Sequence, residues 1–232
     1  MSNPYTEGYF ERGEGSNYHN YADDPGWRVT ANVLNRFMPA DGGEDIGERW
    51  LMEIAAAKGY FLRAAREVGY DTYGVDISEY ATETAVHEVE CLDITTPQDA
   101  WPLSVASNKG LMNVVCSWEF LEHIEGDKIE DVLTNMAVFG ESDQWASGVS
   151  LFVHRIGTTT VEGVRQDNDI THVSNHTREK WLEIIDEWAA KQDDFKLKRA
   201  TEVEDALDAA FAGRDWAGRF FAYWMDKNME DK

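Results

Sequence analysis

With 232 residues, 43% of them hydrophobic, the chain can bury a core of its own, which excludes a disordered or fibrous protein. Its 44 acidic residues outweigh 21 lysines and arginines for a net charge of -23, a field that repels phosphate backbones; no nucleic-acid partner is expected, and the acidity reads as a solvating surface suited to salty surroundings. Cys91 and Cys116 fall in apolar, strand-like runs and read as buried free thiols, and with no leader-like segment or ~20-residue apolar span the expected location is the cytoplasm, with no membrane partner.

The first stretch, to Gly26, is rich in Tyr, Gly, Asn and Asp and reads as irregular. Its Tyr5, Tyr9, Phe10, Tyr18 and Tyr21 are too many aromatics for a solvated tail, so an arm or lid packed on the domain is expected. Val29, Val33, Leu34 and Phe37 recur at helical spacing over Trp27 to Met38, and Pro39 ends that helix. Residues 1–40 are thus read as an arm and helix, and residues 41–232 as the main domain. After a loop with Asp41, Gly42 and Gly43, strands are predicted at Trp50 to Ala55, Tyr73 to Ile77, Val89 to Leu92, Leu111 to Cys116 and Val149 to Val153. Helical periodicity separates most of them, at Tyr60 to Val68, Ser78 to Val86 and Lys128 to Phe139. A polar loop from Gly157 to Asn175 precedes a helix at Arg178 to Ala190, whose Trp181, Ile184, Ile185 and Trp188 read as core. Two last strands, Phe195 to Arg199 and Arg219 to Met225, flank a further helix. Strands alternating with helices predict βαβ units and an α/β fold with a mostly parallel seven-stranded sheet.

The chemistry concentrates where the first strand ends. A strand, a small-residue turn and a helix start in Leu51 to Phe61 let backbone N–H groups approach a ligand, and an acid closing the second strand, Asp76, can accept ribose hydroxyls. Glu53 and Asp76 stand 23 residues apart, near the ~20-residue interval of nucleoside sites. A purely structural reading makes Asp76 a helix N-terminal acid and Gly59 a turn glycine.

Glu53-Ile-Ala-Ala-Ala-Lys-Gly59, Tyr73-Gly-Val-Asp-Ile-Ser-Glu-Tyr80, Cys91-Leu-Asp-Ile94 and Ser117-Trp-Glu-Phe-Leu-Glu-His-Ile124 resemble successive motifs of the class I S-adenosylmethionine (SAM) dependent methyltransferases, in their small-molecule subgroup. Tyr9 to Tyr18 and Asp169-Ile-Thr-His172 resemble bacterial and viral members, so the likeness runs from about Tyr9 to Trp188. It implies a Rossmann-like fold, SAM as cofactor with S-adenosylhomocysteine (SAH) as product, and a small-molecule or sugar acceptor. It also implies that Glu53, Ala55, Ala57, Gly59, Asp76, Ile77, Asp93, Ser117 and Trp118 bind the cofactor: Gly59 and the Ala55 to Ala57 backbone around the methionine part, Asp76 on the ribose and Asp93 near the adenine amino group, with Ser117 to Phe120, just beyond the fourth strand, on the methyl-transfer side. In the family's acid-x-Gly-x-Gly-x-Gly motif this chain places alanine at the first two glycines, and alanine is poor where φ must be positive. Those alanines favour a second reading, a methyltransferase-fold binding protein without catalysis. A nucleic-acid methyltransferase is disfavoured by the charge and by Ser117-Trp-Glu-Phe120 where a DPPY-like tetrapeptide would stand.

His123 and His172 are the candidate catalytic groups, each with a structural alternative: capping or packing for His123, a solvated loop for His172. His154, Asp167, Asp169, His172 and His176 gather around one stretch, but their spacing matches no tight metal motif, and no metal is expected.

Overall fold

The computed structural model describes residues 3–18, 20–41, 49–140 and 149–226; the predicted loop glycines Gly42 and Gly43 lie outside them. One seven-stranded sheet organises these residues: β1 (Trp50–Ile54), β2 (Asp71–Asp76), β3 (Glu90–Cys91), β4 (Val114–Trp118), β5 (Val149–Arg155), β6 (Lys196–Arg199) and β7 (Phe220–Asp226), in the order β3-β2-β1-β4-β5-β7-β6. The first five run parallel, and β7 is antiparallel to both β5 and β6. Strand order reverses between β1 and β4, so the crevice where such sheets collect ligands opens beyond Ile54 and Ser117, which pair across that boundary.

Helices α1 (Gly26–Phe37), α2 (Tyr60–Glu67), α3 (Glu79–Glu83), α4 (Leu103–Ala106), α5 (Ile129–Gly140), α6 (Arg178–Ala189) and α7 (Thr201–Ala210) complete the fold. Successive strand residues face opposite sides of the pleat. Leu51, Val114, Cys116, Leu151 and Val153 therefore pack with Leu34, Phe61 and Val203 of α1, α2 and α7, whereas Met52, Val115 and Phe152 meet Leu133, Trp181 and Trp188 of α5 and α6. Covering both faces explains why β4 is buried at every residue and reads as a continuous apolar run.

Several boundaries differ from the sequence reading. The strand expected at Leu111 to Cys116 is displaced to Val114–Trp118, because Gly110 and Met112 spend their N–H groups on the carbonyls of Val138 and Phe139 at the end of α5. Ser117 and Trp118 are consequently strand residues and not, as expected, beyond the strand. The predicted helix from Ser78 shortens to Glu79–Glu83, with the Ser78 hydroxyl capping the N–H of Ala81 at 3.0 Å. Cys116 is buried as expected, but Cys91 is exposed, since β3 is a two-residue edge strand with cover on one side only. Ile184 is half-buried while Trp181, Ile185 and Trp188 are core. Among the described residues no helix is long and apolar enough to cross a membrane.

Candidate functional site

The turn that follows β1 carries backbone strain. Ala55 and Ala57 adopt φ values of 58° and 48°, and Gly59 follows at 71° as the residue preceding α2. Left-handed backbone costs a non-glycine L-residue about 1–2 kcal/mol, so the two alanines hold the conformation for which glycine is the easy choice. Among the described residues two other non-glycine residues share it, Asn20 and Glu119, and all four line one of two adjoining cavities at the carboxyl ends of the strands. Such clustering is typical of sites where surrounding structure sustains strain for function.

Asp76 closes β2 and ties that turn down. Its Oδ2 accepts the Ala57 N–H at 2.7 Å and its Oδ1 the Ser78 N–H at 2.8 Å. Burial raises its pKa to about 6, with both N–H donors working the other way. Ala56 donates to the Val75 carbonyl at 3.0 Å, so the ends of β1 and β2 lie side by side. Beside them opens a cavity, continuous with solvent and lined by Ala55, Ala57, Asp76, Ile77, Asp93 and Trp118 among others. Asp93 presents a fixed carboxylate there, its Oδ1 accepting from Thr95 N and Oγ1 at 2.9 and 2.7 Å.

Three residues that the resemblance assigns to the cofactor do not reach this wall. Glu53 is 3% exposed beneath the turn, with Oε2 unpartnered and its pKa raised well above the ordinary value by burial and then by Asp76. Gly59 packs against His87 and Val89, where a Cβ would come within 3.1 Å of the His87 Cβ. Ser117 points into the core because strand alternation turns it away from the cavity, and it shares a 2.8 Å hydrogen bond with His154 Nδ1. His154 is therefore a core residue of β5, fully buried and with its pKa lowered to about 3 by burial, and not a member of the loop cluster. His176 is also set apart, bonded to Glu162 at 2.5 Å.

The aromatic arm forms the outer wall. Residues Gly8–Arg12 make one turn of π-helix where sequence alone suggests loop, and Tyr5, Tyr9, Phe10, Tyr18 and Tyr21 all line the cavity. Polar bonds fasten the arm at both rims: the Ser78 hydroxyl donates to the Tyr5 carbonyl at 2.6 Å, Glu11 pairs with Lys58, and the Tyr9 hydroxyl donates to Asp169 Oδ2 at 2.8 Å.

His123 also lines this cavity, whereas His172 lines the second, which shares Tyr18, Tyr21, Trp118 and Glu119 with the first. The two imidazoles nonetheless meet, edge to face, with ring centres 4.6 Å apart. Burial, and then the neighbouring His172, lowers the His123 pKa to about 4. Glu119 is half-buried, and Arg155, at 2.9 Å, and Arg219, at 3.9 Å, hold it ionised. Arg155 in turn lies 3.8 Å above the Trp216 ring, giving the second cavity a floor of aromatic and charged groups. Glu119 lies in the Ser117 to Phe120 segment expected on the methyl-transfer side, and it lines both cavities; Glu122, which the sequence reading does not choose as a site residue, also stands here, its only linear signal being adjacency to His123 just after β4.

No protein of curated function shows a significant sequence match. Structural similarity is broad: a SAM-dependent methyltransferase from Archaeoglobus fulgidus superposes with a TM-score of 0.53 at 16% identity over 87% of this chain and 94% of its own. The plantazolicin methyltransferase BpumL, solved with a triazolic desmethylPZN analog and SAH, gives 0.56 at 14% identity, covering 88% of this chain and 86% of its own. The 1,6-didemethyltoxoflavin-N1-methyltransferase of Burkholderia thailandensis, bound to 1,6-didemethyltoxoflavin and SAH, gives 0.53 at 12%, covering 88% and 79%. At such identities these likenesses speak for the fold. The sequence itself matches the family described as Methyltransferase domain over residues 28–146, more than half of the chain and the segment that carries β1 to β4 and their turns. By that match and by its strand order, the chain belongs to the methyltransferase-domain family, on the class I fold of the SAM-dependent methyltransferases.

Proposed function

We propose that the protein is an active SAM-dependent methyltransferase whose acceptor is a small polar molecule or sugar. The observation that carries this reading is the retained left-handed backbone at Ala55 and Ala57 beside the Asp76 carboxylate. Alanine in place of glycine is the ground for a non-catalytic reading, and that ground weakens when the backbone follows the glycine path regardless.

Bound SAM would supply an electrophilic sulfonium methyl group. The cavity fits it in chemistry: Asp76 accepts the ribose hydroxyls, Ile77 and Asp93 flank the base, and the Ala55 to Ala57 backbone borders the methionine part. The aromatic arm ahead of α1 serves as the lid, with Tyr5, Tyr9, Phe10, Tyr18 and Tyr21 excluding water from the reacting groups. Trp118, Glu119 and His123 face the acceptor side. The second cavity, with His172, Arg155 and three tryptophans, suits a polar acceptor with hydroxyl groups. The desmethylPZN analog bound to BpumL and the 1,6-didemethyltoxoflavin bound to the Burkholderia thailandensis enzyme agree with a small-molecule acceptor.

Calorimetry of the intact chain with SAM and with SAH tests it. Saturable binding of one equivalent of each is expected; no heat with either at high micromolar concentration would refute it.

A further inference from the structure

The turn after β4 and the loop near His172 are bound together by backbone. The Val173 and Ser174 N–H groups both donate to the Glu122 carbonyl at 3.0 Å, and the Ser174 hydroxyl donates to the Ile124 carbonyl at 2.5 Å. This brings Glu122, His123 and His172 together, with one ligand atom from each within 4.8 Å of the others.

The hydrogen-bond network sets both rings for coordination. Thr171 Oγ1 gives its proton to Asp169 Oδ1 at 2.5 Å, so it can only accept from His123 Nδ1, 2.8 Å away. Asp167 Oδ2 accepts from His172 Nδ1 at 2.7 Å. Each imidazole therefore carries its proton on Nδ1 and keeps the Nε2 lone pair. His172 Nε2 lies 3.9 Å from Asp169 Oδ2, beyond hydrogen-bond distance, and that oxygen already accepts from Tyr9. Glu122 is 1% exposed; its Oε1 accepts the Gly157 N–H at 2.7 Å, while Oε2 is buried and, among the described residues, receives no N–H donor, its neighbour being the Glu119 carboxyl group. Among the described residues no lysine or arginine forms an ion pair with it, in contrast to Glu119 with Arg155. An unpaired buried carboxylate oxygen beside two imidazole lone pairs is costly unless a cation or proton sits there.

We infer that Glu122, His123 and His172 form a binding site for a divalent transition-metal ion of the zinc, cobalt or manganese class. Two imidazoles and one carboxylate are a donor set for such ions and leave coordination positions open. Asp167 and the Thr171–Asp169 pair are the outer partners that orient the rings. Because His123 borders the first cavity and His172 the second, the open positions face the junction between them and suit an oxygen of the acceptor. That last role rests on the methyltransferase reading; the site does not.

The test is titration of chelator-treated, full-length protein with Zn2+ alone by calorimetry, and with Co2+ alone by visible absorption. One ion per chain is expected, with ligand-field bands of a nitrogen and oxygen site. Glu122→Gln, which keeps the volume of the buried side chain, and His172→Ala, at the rim, should each weaken binding by about tenfold or more, with unchanged near-ultraviolet circular dichroism showing that the fold survives. Wild-type protein that binds neither ion, or variants that bind Zn2+ as tightly as wild type, would overturn the inference. SAH titration of the same samples separates the two readings: SAH binding without metal binding removes this site and leaves the methyltransferase, while metal binding without SAH binding keeps the site and removes the other.

Discussion

Replacing Ala55 by glycine should stabilise the protein. At φ 58° the alanine bears a left-handed penalty of about 1–2 kcal/mol, which glycine lacks. Against this stands the greater freedom of glycine in the unfolded chain, about 0.4–1 kcal/mol. Ala55 is only partly buried, so little packing is lost, and the balance is about 0.5–1 kcal/mol in favour of Ala55→Gly. Ala57, at φ 48°, has the same backbone strain but is 8% exposed and packs with Tyr9 and Phe10. Deleting its methyl forfeits up to about 0.8 kcal/mol more, which brings Ala57→Gly close to neutral. The measurement is urea denaturation with matched slopes, supported by thermal melts, where Ala55→Gly should raise Tm by about 1–4 °C. Since the ligand-competent backbone is already in place, SAH affinity should change little in either variant. Destabilisation by Ala55→Gly of more than about 1 kcal/mol, or a large change in SAH affinity, would refute the argument that alanine here occupies a glycine conformation.

Three other outcomes follow from particular contacts. Asp76, with its pKa raised to about 6 by burial, must be ionised to accept ribose hydroxyls, so SAH affinity should be constant above that pH and fall about tenfold per unit below it. Asp76→Ala should lower affinity by about 1.5–3 kcal/mol and flatten the profile; a wild-type affinity independent of pH between 5 and 7 would count against the placement of the ribose. Tyr9→Phe removes the 2.8 Å bond to Asp169 that latches the arm, and SAH should dissociate faster in stopped-flow fluorescence with little change in association; an unchanged off-rate would show that the arm is no lid. Ser117→Ala leaves buried His154 with both ring nitrogens unpaired, at a cost of about 1–3 kcal/mol in stability, while SAH affinity persists; lost affinity in a stable variant would return Ser117 to the donor site.

The α/β architecture was legible in the sequence because burial of both sheet faces writes long apolar runs into the central strands, and because Gly59 marks the start of a helix and Asp76 the end of a strand by chemistry that few other residues supply. The family motifs were legible for the same reason, as local segments of strand, turn and helix. Conformation at the turn was not: composition says that alanine avoids positive φ, and only the surrounding bonds, Ala57 N–H to Asp76 and Ala56 N–H to Val75, hold Ala55 and Ala57 there. Pleat direction separated Trp118, which lines the cavity, from Ser117, which does not, and that depended on where the β4 ladder begins. The meeting of Glu122 and His123 with His172 was hidden for a further reason. It arises from two backbone bonds between segments some fifty residues apart, and contacts of that kind are decided by how the chain packs and leave no periodicity along it.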